Sequence, residues 1–160
     1  MKFNLLFLSL LYPAMIIAQN VPVVRADEII GCYELIGFSK DARKEINEID
    51  PWPIPYQWFC FEPDGTLYTM GSTKYEKLTS KSLHEIFKEL PKDITYTILQ
   101  PGIIKTEQKS VNQNLIWGGN FMGNTVLFDQ TVFEKGTFIM SIFSQEKQKN
   151  IYYRYLKKLD

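Results

Sequence analysis

From residue 28 onward, apolar and β-branched residues gather in short runs separated by turn residues, the pattern of a strand-rich chain. The first run, Glu28 to Phe38, is rich in Ile, Tyr and Phe, and a second begins at Tyr56 and continues through Trp58, Phe59, Cys60 and Phe61. Pro63-Asp64-Gly65 then precedes Thr66-Leu67-Tyr68. Pro presets one backbone angle and Gly admits a positive φ, so the pattern predicts a tight hairpin. Ile94 to Leu99 and Ile103 to Gln108 flank Gln100-Pro101-Gly102, a turn of the same logic. Later strands are predicted over Asn114 to Met122, Thr125 to Phe133, Thr137 to Ser144 and Ile151 to Leu159, divided by Gly123-Asn124, Glu134-Lys135-Gly136 and Gln145 to Asn150. About eight short strands joined by short turns predict a mainly β, antiparallel barrel or sandwich.

Two segments break this rhythm. Ser82-Leu83-His84-Glu85 fits a capping box, Leu83, Ile86, Phe87 and Leu90 recur at helical spacing, and Pro91 stops the pattern. One short amphipathic helix follows, its apolar stripe closing over the sheet and His84, Glu85, Lys88 and Glu89 facing water. The connection Ser39 to Pro55 is charged over Asp41 to Asp50 and stiff at Pro51-Trp52-Pro53-Ile54-Pro55. Trp52 and Ile54 there either dock into a barrel mouth or cap the core.

Strand parity assigns faces. Cys32 shares a face with Ile30, Glu34 and Ile36, and Cys60 shares one with Trp58 and Glu62. If these strands are neighbours, both thiols project from the same outer surface, where they form a disulfide or remain two separate thiols. Tyr33, Leu35, Phe59 and Phe61 point inward. Tyr96, Ile98, Trp117, Phe128, Phe138, Met140 and Tyr153 are further interior candidates.

The amino terminus reads differently. Lys2 precedes a stretch from Leu5 to Ala18 that is apolar apart from Ser9, Tyr12 and Pro13, the form of a secretory signal. It is short for a membrane span, which needs about 20 apolar residues. Cleavage fits the small-residue rule after Ala18 or after Ala26, and Ala26 is preferred, giving a signal peptide over 1–26 and a domain over 27–160. Export to the periplasm or medium favours pairing of Cys32 with Cys60. No stable membrane insertion is expected after cleavage.

Composition narrows the chemistry. The 160 residues are 45% hydrophobic and 22% charged, with 18 Lys and Arg against 18 Asp and Glu, so no basic field exists to hold nucleic acid. Loss of Lys2 and Arg25 would leave 16 basic against 18 acidic residues. One His and two Cys offer little for a metal or a catalytic triad, and Cys32, Cys60 and His84 lack close ligand spacing. There is no phosphate loop, nucleophile elbow or Cys-x-x-Cys pair. Glu34, Glu62 and Asp129 are only nominal acid or base candidates, so neither catalysis nor a cofactor is expected.

Gly31-Cys32-Tyr33 on the opening strand, a long first loop, the Phe61-Glu62-Pro63-Asp64-Gly65-Thr66 hairpin and the closing Tyr152-Tyr153-Arg154-Tyr155-Leu156 resemble a lipocalin-like β-barrel over residues 28–159. The resemblance implies a single up-and-down antiparallel barrel of about eight strands. It places Tyr33 behind Gly31 at the closed end with Arg154 over it, a cation–π pair of fold residues. It also implies a noncatalytic protein holding a small hydrophobic ligand of the fatty-acid or lipid class, with Trp52, Ile54, Tyr56, Phe59, Phe61 and Trp117 as candidate ligand-binding residues. The alternative is a barrel filled by its own aromatics that acts as an inhibitor, immunity or assembly factor, its protein partner unknown.

Overall fold

Strand-forming runs and turn residues fall where local chemistry requires them. In the computed structural model, residues 20–38, 54–128, 131–144 and 149–160 are described. The strands are β1 (Asn20–Pro22), β2 (Gly31–Phe38), β3 (Tyr56–Phe61), β4 (Leu67–Ser72), β5 (Ile94–Gln100) and β6 (Ile103–Gln108). They continue with β7 (Gln113–Met122), β8 (Val126–Phe128), β9 (Thr131–Phe133), β10 (Phe138–Ser144) and β11 (Lys149–Lys158), and the helix is α1 (Ser80–Phe87). The β3–β4 turn is the expected one. Gly65 has φ of 83°, Glu62 and Thr66 pair across the turn at 2.8 Å, and Asp64 Oδ1 accepts the Thr66 amide at 3.0 Å.

Eight strands form one antiparallel run in the order β4-β3-β2-β11-β10-β7-β6-β5. β2–β3–β4 and β5–β6–β7 are sequential neighbours, and in the middle of the run β2 pairs with β11, which joins strands from opposite ends of the described chain. The two ends of the run, β4 and β5, meet at a single bridge between Thr66 and Thr95, beside which the Tyr96 amide donates to Gly65 at 2.8 Å. The result is a strongly curled half-barrel whose seam lies at the connection containing α1. Gly119 admits the close approach of interior side chains, since a Cβ there would lie 2.4 Å from Ile104 Cδ1.

Three local details differ from the sequence expectation. Thr125 to Phe133 is not one barrel strand: it divides into β8 and β9, which pair with each other in a separate two-stranded sheet. Each half thereby finds its backbone partners within the hairpin. The hairpin's Phe133 packs on the outer face against Tyr155 at 4.4 Å. The helix begins earlier than Ser82, because Thr79 is the N-cap and exchanges capping bonds with Ser82. Of its apolar stripe, Leu83 and Phe87 are buried while Ile86 and Leu90 are exposed, since two turns of helix can rest only one edge on the sheet. Finally, β1, absent from the sequence reading, pairs Asn20 with Met122 and Pro22 with Asn120.

Packing divides into an interior cluster around Tyr33, Phe59, Phe61, Tyr96, Trp117, Phe138 and Leu156 and an outer cluster of Cys32, Trp58, Cys60, Leu83 and Phe87 beneath α1. Each fully buried Leu or Phe contributes on the order of 2 kcal/mol.

Candidate functional site

Inward positions of β2, β3, β5, β7 and β10 bring a block of aromatic rings together at one end of the curled sheet. Phe61 stands edge-on to Tyr96 at 5.1 Å and to Tyr33 at 5.9 Å, and Phe138 lies 5.5 Å from Tyr33 and 5.2 Å from Phe121. Edge-to-face geometry of this kind aligns ring edges with ring faces. Tyr96 donates its hydroxyl to the Glu62 carbonyl at 2.9 Å. Among the described residues the buried Tyr33 hydroxyl has no hydrogen-bond partner, and burial, followed by the nearby Tyr96, pushes it far above the ordinary tyrosine range.

Farther along the interior the lining becomes mixed. Arg154, 2% exposed, holds its guanidinium 5.6 Å from the Phe59 ring and 5.3 Å from the Trp117 ring, in addition to its other contacts. Trp117 Nε1 donates to Thr106 Oγ1 at 2.8 Å. Gln57, also buried, donates to the Ile54 carbonyl at 3.0 Å. A cation inside an apolar enclosure requires π faces or polar partners to replace water, and β3 and β7 supply ring faces here.

The candidate ligand residues thus separate. Phe59 and Trp117 meet at Arg154, while Phe61 belongs to the aromatic block. Ile54 packs across the backbone of Gly71, where a Cβ would lie 3.1 Å from its side chain. Tyr56 is not with them: it shares parity with Trp58 and Cys60, lies on the outer face, and meets Tyr75 at 5.5 Å. Trp52 and Asp129 lie outside the described residues. Tyr153 likewise packs on the outer face, beside Ile139 and Tyr155, because Arg154 and Leu156 take the inward positions of β11.

The expected cation over Tyr33 is also a different residue. Lys158, not Arg154, places its Nζ 5.8 Å from the Tyr33 ring and donates to the Ile30 carbonyl at 2.7 Å. Its aliphatic stem crosses Gly31, where a Cβ would come within 2.7 Å of Lys158 Cε. Gly31 therefore gives the lysine its path to Tyr33, four residues beyond the arginine in β11.

Cys32 and Cys60 stand directly opposite in the β2–β3 register and form a disulfide. Both are fully buried, because α1 covers the outer surface from which they project. On α1, His84 Nε2 lies 3.1 Å from Glu62 Oε1 and 3.8 Å from Cys32 Sγ. Sequence reasoning placed His84 in water, and its side chain is 49% exposed. Its pairing with Glu62 crosses from helix to hairpin, so no local spacing signals it. A surface cleft of about 560 Å³ opens beside this pair, with Tyr68, Phe87, Lys88 and Lys92 also in its lining. Tyr68 and Phe87 stack at 5.1 Å. Asp64 pairs with Lys92 on its rim, and that hydrogen bond, with those from Thr66, holds the Asp64 carboxyl down to about 2.

Among the described residues, no group of three or more His, Cys, Asp or Glu is arranged to hold a metal ion, and no helix is long and apolar enough to cross a membrane. Comparison of the chain with family models, curated proteins and solved structures returns no match in any of the three.

Proposed function

We propose that this chain is an exported, noncatalytic protein that binds a small amphiphile of the fatty-acid or lipid class within its curled sheet. The observation that carries this reading is the buried Arg154 between Phe59 and Trp117. A guanidinium there matches an anionic headgroup, and the flanking rings match the first carbons of an apolar tail. Export is supported by the charged and apolar start of the chain and by the Cys32–Cys60 disulfide. Native and denaturing mass spectra of protein recovered from a periplasmic expression strain test the binding. The expected result is a small acidic lipid retained in the native spectrum, lost on denaturation and depleted in Arg154→Met. A bare native mass, with no uptake of a fluorescent fatty acid, would overturn the reading.

A second reading, a filled scaffold acting through its surface as an inhibitor, immunity or assembly factor, is favoured by the interlocked Tyr33, Phe61, Tyr96 and Phe138 rings. Those rings leave the aromatic end to side chains of the protein itself, and a bare mass would direct attention to protein partners.

A further inference from the structure

Residues 20–26, which lie between the two candidate cleavage points, are structural. β1 takes up the edge of β7 beyond β6: β6 pairs with Gln113 to Gly118 and β1 with Asn120 to Met122. Val23 continues the attachment, donating its amide to Gly119 at 3.1 Å and accepting from Gly102 at 2.8 Å. Its side chain is 0% exposed and belongs to the interior cluster with Ile29, Tyr33 and Phe138. Pro22 lies 3.4 Å from where a Gly102 Cβ would stand.

Beyond Val23 the chain is fastened again. The Val24 amide donates to Glu28 Oε2 at 2.8 Å, Arg25 pairs with Asp27 and Glu28, and Ile29 donates to the Ala26 carbonyl at 3.2 Å. Removal of residues 19–26 would therefore strip an edge from β7, empty the Val23 position in the core and cut the turn that leads into β2. Export processing acts on an unfolded chain, so the turn itself does not protect the bond after Ala26. What selects between the sites is that the folded molecule needs the segment.

We infer that the mature protein is produced by hydrolysis of the Ala18–Gln19 bond, with β1 and Val23 retained as working parts of the fold. This rests on the export reading above. It moves the boundary from the Ala26 site that sequence alone favours. Water adds across one peptide bond, leaving a carboxylate on Ala18 and an amine on Gln19. That amine can then displace ammonia from its own side-chain amide to close a five-membered lactam.

The test is the intact denatured mass of protein expressed from the full chain and recovered from the periplasm. A mass beginning at Gln19, or the same mass less one ammonia, supports the inference. A mass beginning at Asp27 overturns the inference while leaving export standing, and an uncut chain confined to the cytosol overturns the export reading and the cut together. An independent comparison uses two chains, starting at Gln19 and at Asp27, each refolded with the disulfide formed. The shorter chain is expected to melt lower by on the order of 10 °C or to fail to fold. Equal melting temperatures would show that β1 is dispensable and overturn the inference.

Discussion

The β2–β3 pair buries both of its faces, but against different neighbours. Inside, Tyr33 and Phe59 stand opposite each other and meet rings contributed by distant strands. Outside, Cys32 and Cys60 stand opposite each other and meet one short helix. A strand covered on one side alternates apolar and polar residues, whereas Tyr56-Gln57-Trp58-Phe59-Cys60-Phe61 is nearly continuous in its apolar character, as expected of a strand covered on both. The two coverings differ in how they are held. The inner one is enforced by the curl of the whole sheet, and the outer one by Leu83 and Phe87 with the disulfide beneath them.

The largest effect should come from truncating matched rings on the two faces. Phe61→Ala is expected to cost about 3–5 kcal/mol in chemical denaturation, in the range of buried aromatic truncations. Phe87→Ala should cost less, because α1 can settle toward Tyr68. Equal losses would show that the helix is packed as rigidly as the interior. Next in size, the double replacement Cys32→Ala with Cys60→Ala should lower stability by roughly 3.5 kcal/mol, the loop-closure value for a separation of 28 residues. It should leave Arg154-dependent ligand retention intact. Loss of both together would join the two faces into one functional unit.

Smaller effects separate the faces by pH. The Tyr33 hydroxyl is raised in the folded state by burial, so its contribution is fully present below the ordinary tyrosine value of about 10 and is lost as pH rises above it. Tyr33→Phe should flatten that alkaline decline and be neutral or slightly stabilising at neutral pH, since the hydroxyl it removes has no partner among the described residues. Tyrosinate absorbance recorded with the unfolding midpoint checks both. The smallest effect belongs to the rim of the outer cleft. Asp64 is lowered to about 2 by Lys92 and Thr66, so its stabilisation is present above about 3.8 and is lost as pH falls through about 2. Asp64→Asn should remove this acid dependence, and an unchanged midpoint-against-pH curve would show that the exposed pair contributes nothing.

Much of the architecture is written in local chemistry. Pro63-Asp64-Gly65 and Gln100-Pro101-Gly102 mark their turns unaided, and the parity of Cys32 and Cys60 places both on one outer face, opposite each other as the disulfide requires. The misplaced details are set by tertiary contacts. In Tyr152-Tyr153-Arg154-Tyr155-Leu156, local pattern favours tyrosine inward and arginine outward, yet Phe59 and Trp117 offer Arg154 two ring faces in the interior. Lys158 reaches Tyr33 only because Gly31, far away in sequence, leaves its path open. β1 carries no strand signal of its own, because Asn20-Val21-Pro22 is three residues long and adjoins an apolar stretch, and only the edge of β7 shows where it pairs. For the candidate site, inward parity identified Phe59 and Phe61, while the meeting of Phe59, Trp117 and Arg154 depends on the curl of the sheet.

The closing pair β2–β11 also bears on the order of events in folding. Lys158 bonds Ile30 across 128 residues, the Leu159 amide donates to Cys32, and Ser80 of α1 donates to Asp160. β11 and the residues after it therefore lock the sheet and help seat the helix over the cysteines. Contacts of such long sequence separation make folding slow, with millisecond-to-second closure typical of β topologies. Until β11 arrives, β2 presents an unpaired edge open to aggregation.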